Sequence, residues 1–108
     1  MDNLMVKDLP KAKRRALKRQ EVFYELREML TEIIGIDAAE IVGIHEHSTF
    51  LRDLEMSSIQ IVELVEMVQE RYGEHFDFIG WLTKRPILHL IRMNVGEVAA
   101  LIEGKIGN

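Results

Sequence analysis

The sequence predicts an all-α protein, a four-helix bundle of three main helices plus a short third helix, with a long loop between helices 1 and 2. Three stretches carry apolar residues at steps of three and four, which is the period of an amphipathic helix. Each stretch is bounded by residues that typically start or stop helices. The chain has 108 residues and is 47% hydrophobic, which is typical of one folded domain with a single core.

The first helix is predicted from Arg14 to about Ile34. Pro10 fits just before or at its start, and Gly35 is a plausible C-terminal stop. Its apolar positions are Leu17, Val22 or Phe23, Leu26, Met29 or Leu30, and Ile33.

Residues 36–56 are predicted to form a long connection. Such a loop is unusual in a compact domain unless its own side chains pin it or it has a function. Its short apolar pegs are Ile36, Ile41, Val42, Ile44, Phe50, Leu51 and Leu54.

The second helix is predicted from Ser58 to about Tyr72, closed by Gly73. Ser57 has Gln60 three residues later, just before an apolar run, which is the capping-box pattern. Its buried stripe is Ile61, Leu64 or Val65, Val68 and Tyr72, and its acidic stripe is Glu63, Glu66 and Glu70. With Ser57 as N-cap, the hydroxyl of Ser58 lies at the helix mouth, where free amide N–H groups favour a covalently attached phosphate.

The last helix is predicted from Asn94 to about Ile106, with Glu97 three residues after the cap. Its apolar positions are Val95, Val98, Leu101 and Ile102. Between the second and last helices, Pro86 is expected to divide the apolar segment 76–93 into two short pieces.

Charge is distributed unevenly along the chain. The net charge is −4, but residues 1–20 hold seven basic and two acidic side chains, and the remaining 88 residues hold 7 basic and 16 acidic ones. Residues 1–13 are predicted to be a basic, flexible leader and residues 14–108 a single domain. The leader could touch nucleic acid or anionic lipid, but a solvated, frayed helix extension is favoured, since no aromatic side chains are interleaved with its cations.

Several classes of site find no support in the sequence. There is no cysteine, no apolar run long enough to span a bilayer and no signal peptide, so we expect a cytoplasmic protein without membrane insertion. The triplet His45-Glu46-His47 has no second cluster, so no metal site is expected. Ser58 lacks a nucleophile elbow or a paired base, which indicates a substrate holder and not an enzyme.

The stretch from Asp53 to Ile59, with Val62-Glu63-Leu64, resembles the Asp-Leu-Gly-x-Asp-Ser-Leu…Val-Glu-Leu signature of acyl carrier proteins. The resemblance implies that Ser58 carries 4′-phosphopantetheine, attached covalently from coenzyme A, whose thiol holds an acyl group as a thioester. Two positions depart from the signature: Ser57 replaces an Asp, and Glu55 replaces a frequent Gly. Asn94-Val95-Gly96-Glu97-Val98 is also similar to the start of the final carrier-protein helix.

The resemblance further implies a carrier that presents thioesters to fatty-acid, polyketide or related enzymes. The chain length, with no sign of fused catalytic domains, indicates a freestanding carrier, and we expect a monomer. Its partners would be a phosphopantetheinyl transferase and acyl-loading, ketosynthase or related enzymes with basic docking surfaces, not nucleic acid. The expected docking residues are Asp53, Met56, Ser57, Ile59, Val62, Glu63, Glu66 and Glu70.

Two alternatives remain open from the sequence. One is an aminoacyl or peptidyl carrier with the same arm. The other is a non-modified helical protein-binding module, in which Ser57 and Ser58 serve only as caps. The segment 76–93 could enlarge the core, shape an acyl pocket or form a partner contact.

Overall fold

The computed structural model describes residues 9–106, and within them it confirms the all-α prediction. Between residues 9 and 106, six helices follow one another, and one isolated antiparallel bridge joins Thr49 to Asn94. The helices are α1 (Lys11–Ile34), α2 (Ile36–Val42), α3 (Ser58–Tyr72), α4 (Phe78–Thr83), α5 (Ile87–Arg92) and α6 (Val95–Ile106). Helix α1 packs against α2, α3 and α6, and α3 also packs against α4.

Helix α1 begins three residues earlier than predicted, directly after Pro10, and ends as predicted at Gly35. The N–H of Gly35 donates to the carbonyl of Thr31 at 2.8 Å, and its φ of 96° lies in the left-handed region that favours glycine. The leader predicted over residues 1–13 falls mostly outside the described residues; its last three residues form the first turn of α1. Leu17, the first apolar position of the predicted helical pattern, is 42% exposed, and the buried residues of α1 begin at Val22.

The predicted connection over residues 36–56 is interrupted by α2. Gly35 and Gly43 bound this seven-residue helix, and Asp37 lies in its first turn, where a carboxylate is favourable. Ile36 and Ile41, predicted as apolar pegs, are 67% and 84% exposed because both point away from the bundle. Among the other predicted pegs, Val42 and Leu51 are also exposed, and Ile44, Phe50 and Leu54 are buried.

Backbone hydrogen bonds pin the rest of the connection onto the start of α6. The N–H of Val95 donates to the carbonyl of Ser48 at 3.0 Å, and that of Gly96 donates to the carbonyl of Glu46 at 2.7 Å. A Cβ on Gly96 would approach that same carbonyl oxygen to 2.9 Å, so the close contact requires glycine. The loop before α3 is therefore held by the far end of the chain.

The remaining helix boundaries follow the sequence closely. Helix α3 has the predicted bounds and is followed by Gly73. As expected, the segment 76–93 is divided at Pro86 into two short pieces, the helices α4 and α5, and Pro86 is the residue that precedes the first turn of α5. Asn94 caps α6, its Oδ1 accepting from the N–H of Glu97 at 2.8 Å.

The core lies where α1, α3, α4 and α6 meet, and it contains one buried carboxylate. Glu103 of α6 is 2% exposed and lies 3.3 Å from Arg15 Nε and 3.4 Å from Arg19 Nη2, both on α1. The buried apolar residues are Val22, Leu26, Met29, Leu30, Ile44, Phe50, Leu54, Met56, Leu64, Val68, Tyr72, Phe78, Met93, Val95, Val98, Ala99 and Ile102.

We expect Glu103→Gln to lower the free energy of unfolding by about 1.5–3 kcal/mol. The substitution replaces the buried carboxylate by a neutral amide, so the hydrogen bonds from Arg15 and Arg19 lose their charged acceptor. Urea denaturation would measure this. The matched control is Glu21→Gln, which removes only an exposed contact to Lys18 at 3.5 Å and should change stability by less than about 0.5 kcal/mol. Equal losses in the two variants would contradict a stabilising role for the buried carboxylate.

Candidate functional site

The corner at the start of α3 is built by a complete capping box. Ser57 has extended backbone angles (φ −75°, ψ 167°), and its hydroxyl accepts a hydrogen bond from the N–H of Gln60 at 3.2 Å. The Gln60 side chain accepts in return from the N–H of Ser57 at 3.0 Å. These paired bonds fix the first turn of α3 and the entry of the chain into it.

The two adjacent serines have different environments. The hydroxyl of Ser57 is occupied by the cap, whereas Ser58, the first residue of the helix, is exposed. Within the described part of the chain, no hydrogen bond involves the Ser58 side chain. The Ser58 oxygen is therefore the one of the pair that is accessible for a covalent bond.

The electrostatics of this corner suit a phosphate. An α-helix leaves its first N–H groups without intrahelical acceptors and carries a partial positive charge at that end. The first turn of α3 has no acidic side chain, so no carboxylate competes for these donors. A phosphate ester on Ser58 would lie where the helix favours negative charge.

Asp53 holds the loop that leads into this corner. One of its carboxylate oxygens accepts from the Thr49 N–H at 2.9 Å and from the Thr49 hydroxyl at 3.1 Å. These hydrogen bonds, with that from the backbone foremost, lower the pKa of Asp53 below its usual 3.8. The loop is therefore stabilised by the ionised carboxylate above that pH, and this contribution is lost as the pH falls through the lowered pKa.

Glu55 has a φ of 48°, and among the described residues it is the one non-glycine residue with a positive φ. This position is the one at which the carrier signature often has glycine, so the backbone conformation supplies a physical reason for that glycine.

Glu55→Gly should therefore raise the free energy of unfolding by about 0.5–1 kcal/mol, the relief of left-handed strain exceeding the added flexibility of the unfolded chain. Thermal and urea unfolding would measure it. Glu46→Gly, another exposed loop position but without a positive φ, is the control and should not stabilise. A destabilised Glu55→Gly variant would contradict the account of strain.

The predicted docking residues mostly lie on the surface, with one correction. Ile59 and Val62 are 72% and 55% exposed on α3. Asp53, Ser57, Glu63, Glu66 and Glu70 are exposed as well. Met56 is only 5% exposed and packs in the core, so its prediction as a docking contact is corrected. Its side chain belongs to the buried apolar cluster that forms the core.

An apolar cavity of about 160 Å³ lies beneath α4 and α5. The sequence left an acyl pocket open as one role of the apolar segment 76–93, but it did not predict the other residues of the wall, which combines loop residues with four helices. That segment contributes both to the core, through Phe78 and Met93, and to the cavity wall. The lining residues are Phe50, Leu51, Ile61, Leu64, Val65, Val68, Phe78, Leu82, Leu90, Met93 and Val98.

Comparison with known proteins shows the family to which the chain belongs. The family described as "Phosphopantetheine attachment site" matches residues 25–78, half of the chain, and this range includes the whole of α3 and the loop before it. The chain belongs to the acyl carrier protein family. The cofactor of this carrier family is 4′-phosphopantetheine, and its members carry substrates and are not themselves enzymes.

Individual relatives of this carrier are distant. An acyl carrier protein of Saccharopolyspora erythraea is 27% identical over 85 residues, covering 79% of this chain and 86% of the relative. One from Rubrobacter xylanophilus is 28% identical over 57 residues, 53% of this chain and 67% of the relative. The meromycolate extension acyl carrier protein of Mycolicibacterium aurum is 29% identical over 58 residues, 54% of this chain and 57% of the relative. No solved structure gives a significant match.

Two further features of the carrier concern metal binding and membrane spanning. His45, Glu46 and His47 are exposed, and between residues 9 and 106 no three His, Cys, Asp or Glu side chains converge as metal ligands would. In the same range, every helix is too short or too polar to cross a bilayer.

Proposed function

We propose that Ser58 carries 4′-phosphopantetheine and that the chain acts as an acyl carrier protein. It would present acyl thioesters to fatty-acid, polyketide or related biosynthetic enzymes, with residues 14–108 as the carrier domain. The observation that carries this proposal is the division of labour between two neighbouring serines. Ser57 closes the capping box, and this leaves the Ser58 hydroxyl exposed at the helix start.

The residues of this corner have distinct roles in the proposed modification. The Ser58 oxygen forms the bond to the phosphorus that carries the pantetheine, the pyrophosphate linkage of coenzyme A breaks to release adenosine 3′,5′-bisphosphate, and the Ser58 proton passes to a base of the transferase. The N-terminal N–H groups of α3 stabilise the added negative charge, since the helix dipole points at it. Ser57 and Gln60 fix the turn, and Asp53 holds the preceding loop through Thr49. The attached group supplies a thiol for the thioester.

The exposed face of α3 is proposed as the docking surface for partner enzymes. It combines the apolar side chains of Ile59 and Val62 with the carboxylates of Glu63, Glu66 and Glu70. An enzyme with an apolar contact flanked by Lys or Arg would complement it. The acidic balance of residues 21–108 would add long-range attraction and speed the encounter.

The apolar cavity supports hydrocarbon cargo over an aminoacyl or peptidyl group. Its wall is formed by aliphatic and aromatic side chains throughout, so a cargo amine or amide placed there would lose its hydrogen bonds to water. An acyl chain would instead exchange water for apolar contacts.

The test begins with an acyl-coenzyme A and a broad-specificity phosphopantetheinyl transferase. Intact mass spectrometry should show one acyl-phosphopantetheine addition, and neutral hydroxylamine should then remove only the acyl part, as it does from a thioester. Thermal stability should rise from acetyl to longer chains as the cavity is filled. No addition to folded protein, tried with several transferases, would favour the helical binding module in which both serines are only caps.

A further inference from the structure

Helix α5 turns an apolar face towards solvent. Ile87, Leu88 and Ile91 are 72%, 65% and 46% exposed, whereas His89 and Leu90 on the other side are partly buried. Ile87 and Ile91 are one turn apart, so they form one row on the helix surface. A short helix inside the chain that exposes its larger side chains in this way marks an interaction surface.

The exposed face continues onto the loop that precedes α3. An open groove of about 570 Å³ is lined by Ile91 and Arg92 of α5 and by Thr49, Leu51 and Arg52 of the loop. Leu51 is 43% exposed in this groove. We call the set Leu51, Arg52, Ile87, Leu88, Ile91 and Arg92 the α5 patch.

Two arginines flank the groove, and neither is neutralised by an ion pair. Within residues 9–106, the guanidinium groups of Arg52 and Arg92 make no hydrogen bond or salt bridge. Arg52 acts through space on Asp53, but that carboxylate is already bonded to Thr49. By contrast, Arg15, Arg19 and Arg71 are paired with carboxylates. The α5 patch is thus a positive, apolar region on an otherwise acidic body.

We propose that the α5 patch is a second docking surface, and that it binds a partner protein whose contact presents apolar side chains flanked by carboxylates. Such a partner would neutralise Arg52 and Arg92 and bury the exposed aliphatic side chains in the same contact. The partner surface that binds the α5 patch would thus be acidic, whereas the partner surface that binds the acidic α3 face would be basic. The proposal does not depend on whether Ser58 is modified.

The shape of the patch favours a protein over a lipid bilayer. A concave groove between the loop and α5 accommodates a protruding side chain, which a flat headgroup surface does not supply. Two oppositely charged surfaces on one small protein would also fix the orientation in which partners bind.

The test uses the unmodified protein, labelled with ¹⁵N, and two synthetic helical peptides. One peptide presents a leucine face flanked by glutamates, and the other has lysine in place of each glutamate. The glutamate peptide should shift the amide signals of Leu51, Arg52, Ile87 and Ile91, and should bind more tightly there than the lysine peptide. The double variant R52Q/R92Q should weaken this binding by about fivefold. Ile41→Ser, at an 84% exposed position on α2, is the control and should leave it unchanged.

Four results would overturn the proposal. The glutamate peptide could shift signals outside the α5 patch, or the lysine peptide could bind the patch equally well. Co-sedimentation with phosphatidylglycerol vesicles that is lost in Ile87→Ser would identify the patch as a membrane contact. A concentration-dependent dimer in sedimentation velocity that is lost in Arg92→Gln would identify the occupant as a second copy. The titration of the wild-type protein decides the first two outcomes without any variant.

Discussion

A Ser58→Ala variant should take up no phosphopantetheine, whereas a Ser57→Ala variant should still be modified and lose about 1 kcal/mol of stability. The reason is the different use of the two hydroxyl groups. Ser57 accepts from the N–H of Gln60 and closes the capping box, and Ser58 is exposed without such a role. Alanine at residue 57 leaves a helix donor unsatisfied, and alanine at residue 58 removes only the nucleophile.

Both variants would be incubated with coenzyme A and transferase, and examined by intact mass spectrometry and urea denaturation. Ser58→Ala should unfold like the wild type, since alanine is a good residue for the first turn of a helix. Ser48→Ala is a control outside this corner. The wild-type Ser48 hydroxyl accepts from the N–H of His45 at 2.9 Å, so its loss affects the loop but should leave the modification of Ser58 unchanged. Modification of Ser58→Ala would contradict the assignment of the site.

The second large effect is expected in the core, where Leu30→Ala should lower the free energy of unfolding by about 3 kcal/mol. Leu30 is 0% exposed on α1 and belongs to the cluster that joins α1 to the other main helices. Removing its side chain loses the free energy of burial and leaves a cavity that the packed helices only partly fill. For a domain of this size, the loss corresponds to a fall in melting temperature of about 10–20 °C.

Leu17→Ala is the matched control, because it is the same substitution in the same helix at a position that is 42% exposed. It should cost less than about 1 kcal/mol, and alanine's helix propensity offsets part of even that. Urea denaturation of both variants would give the two values under one set of conditions. Equal losses would show that α1 does not pack as the structure has it.

Local signals explain why parts of the fold could be predicted from the sequence. The start of α3 depends on Ser57 and Gln60, three residues apart, and the break between α4 and α5 depends on the ring of Pro86. Both effects act within one turn of chain, so the pattern contains all of the information needed.

Tertiary arrangement explains what the sequence did not predict. Helix α2 contains Ile36 and Ile41, which were expected to hold the connection to the core by apolar contacts, yet both side chains are exposed. Met56 was expected at the surface near the site, but it is 5% exposed and packs in the core, a contact between the loop and the helices that no local pattern reveals. The apolar cavity and the α5 patch are each formed by residues of the loop together with helices distant in the sequence. The spacing of apolar residues within one element does not predict such contacts.

The most direct test of the account is to locate the modification on the natural sequence. After reaction with coenzyme A and a phosphopantetheinyl transferase, trypsin should release residues 53–71 as one peptide that contains both serines of the corner. Fragmentation of this peptide should place a single phosphopantetheine on Ser58. A peptide that stays unmodified with the host's own transferase, or an arm located on Ser57, would contradict the account.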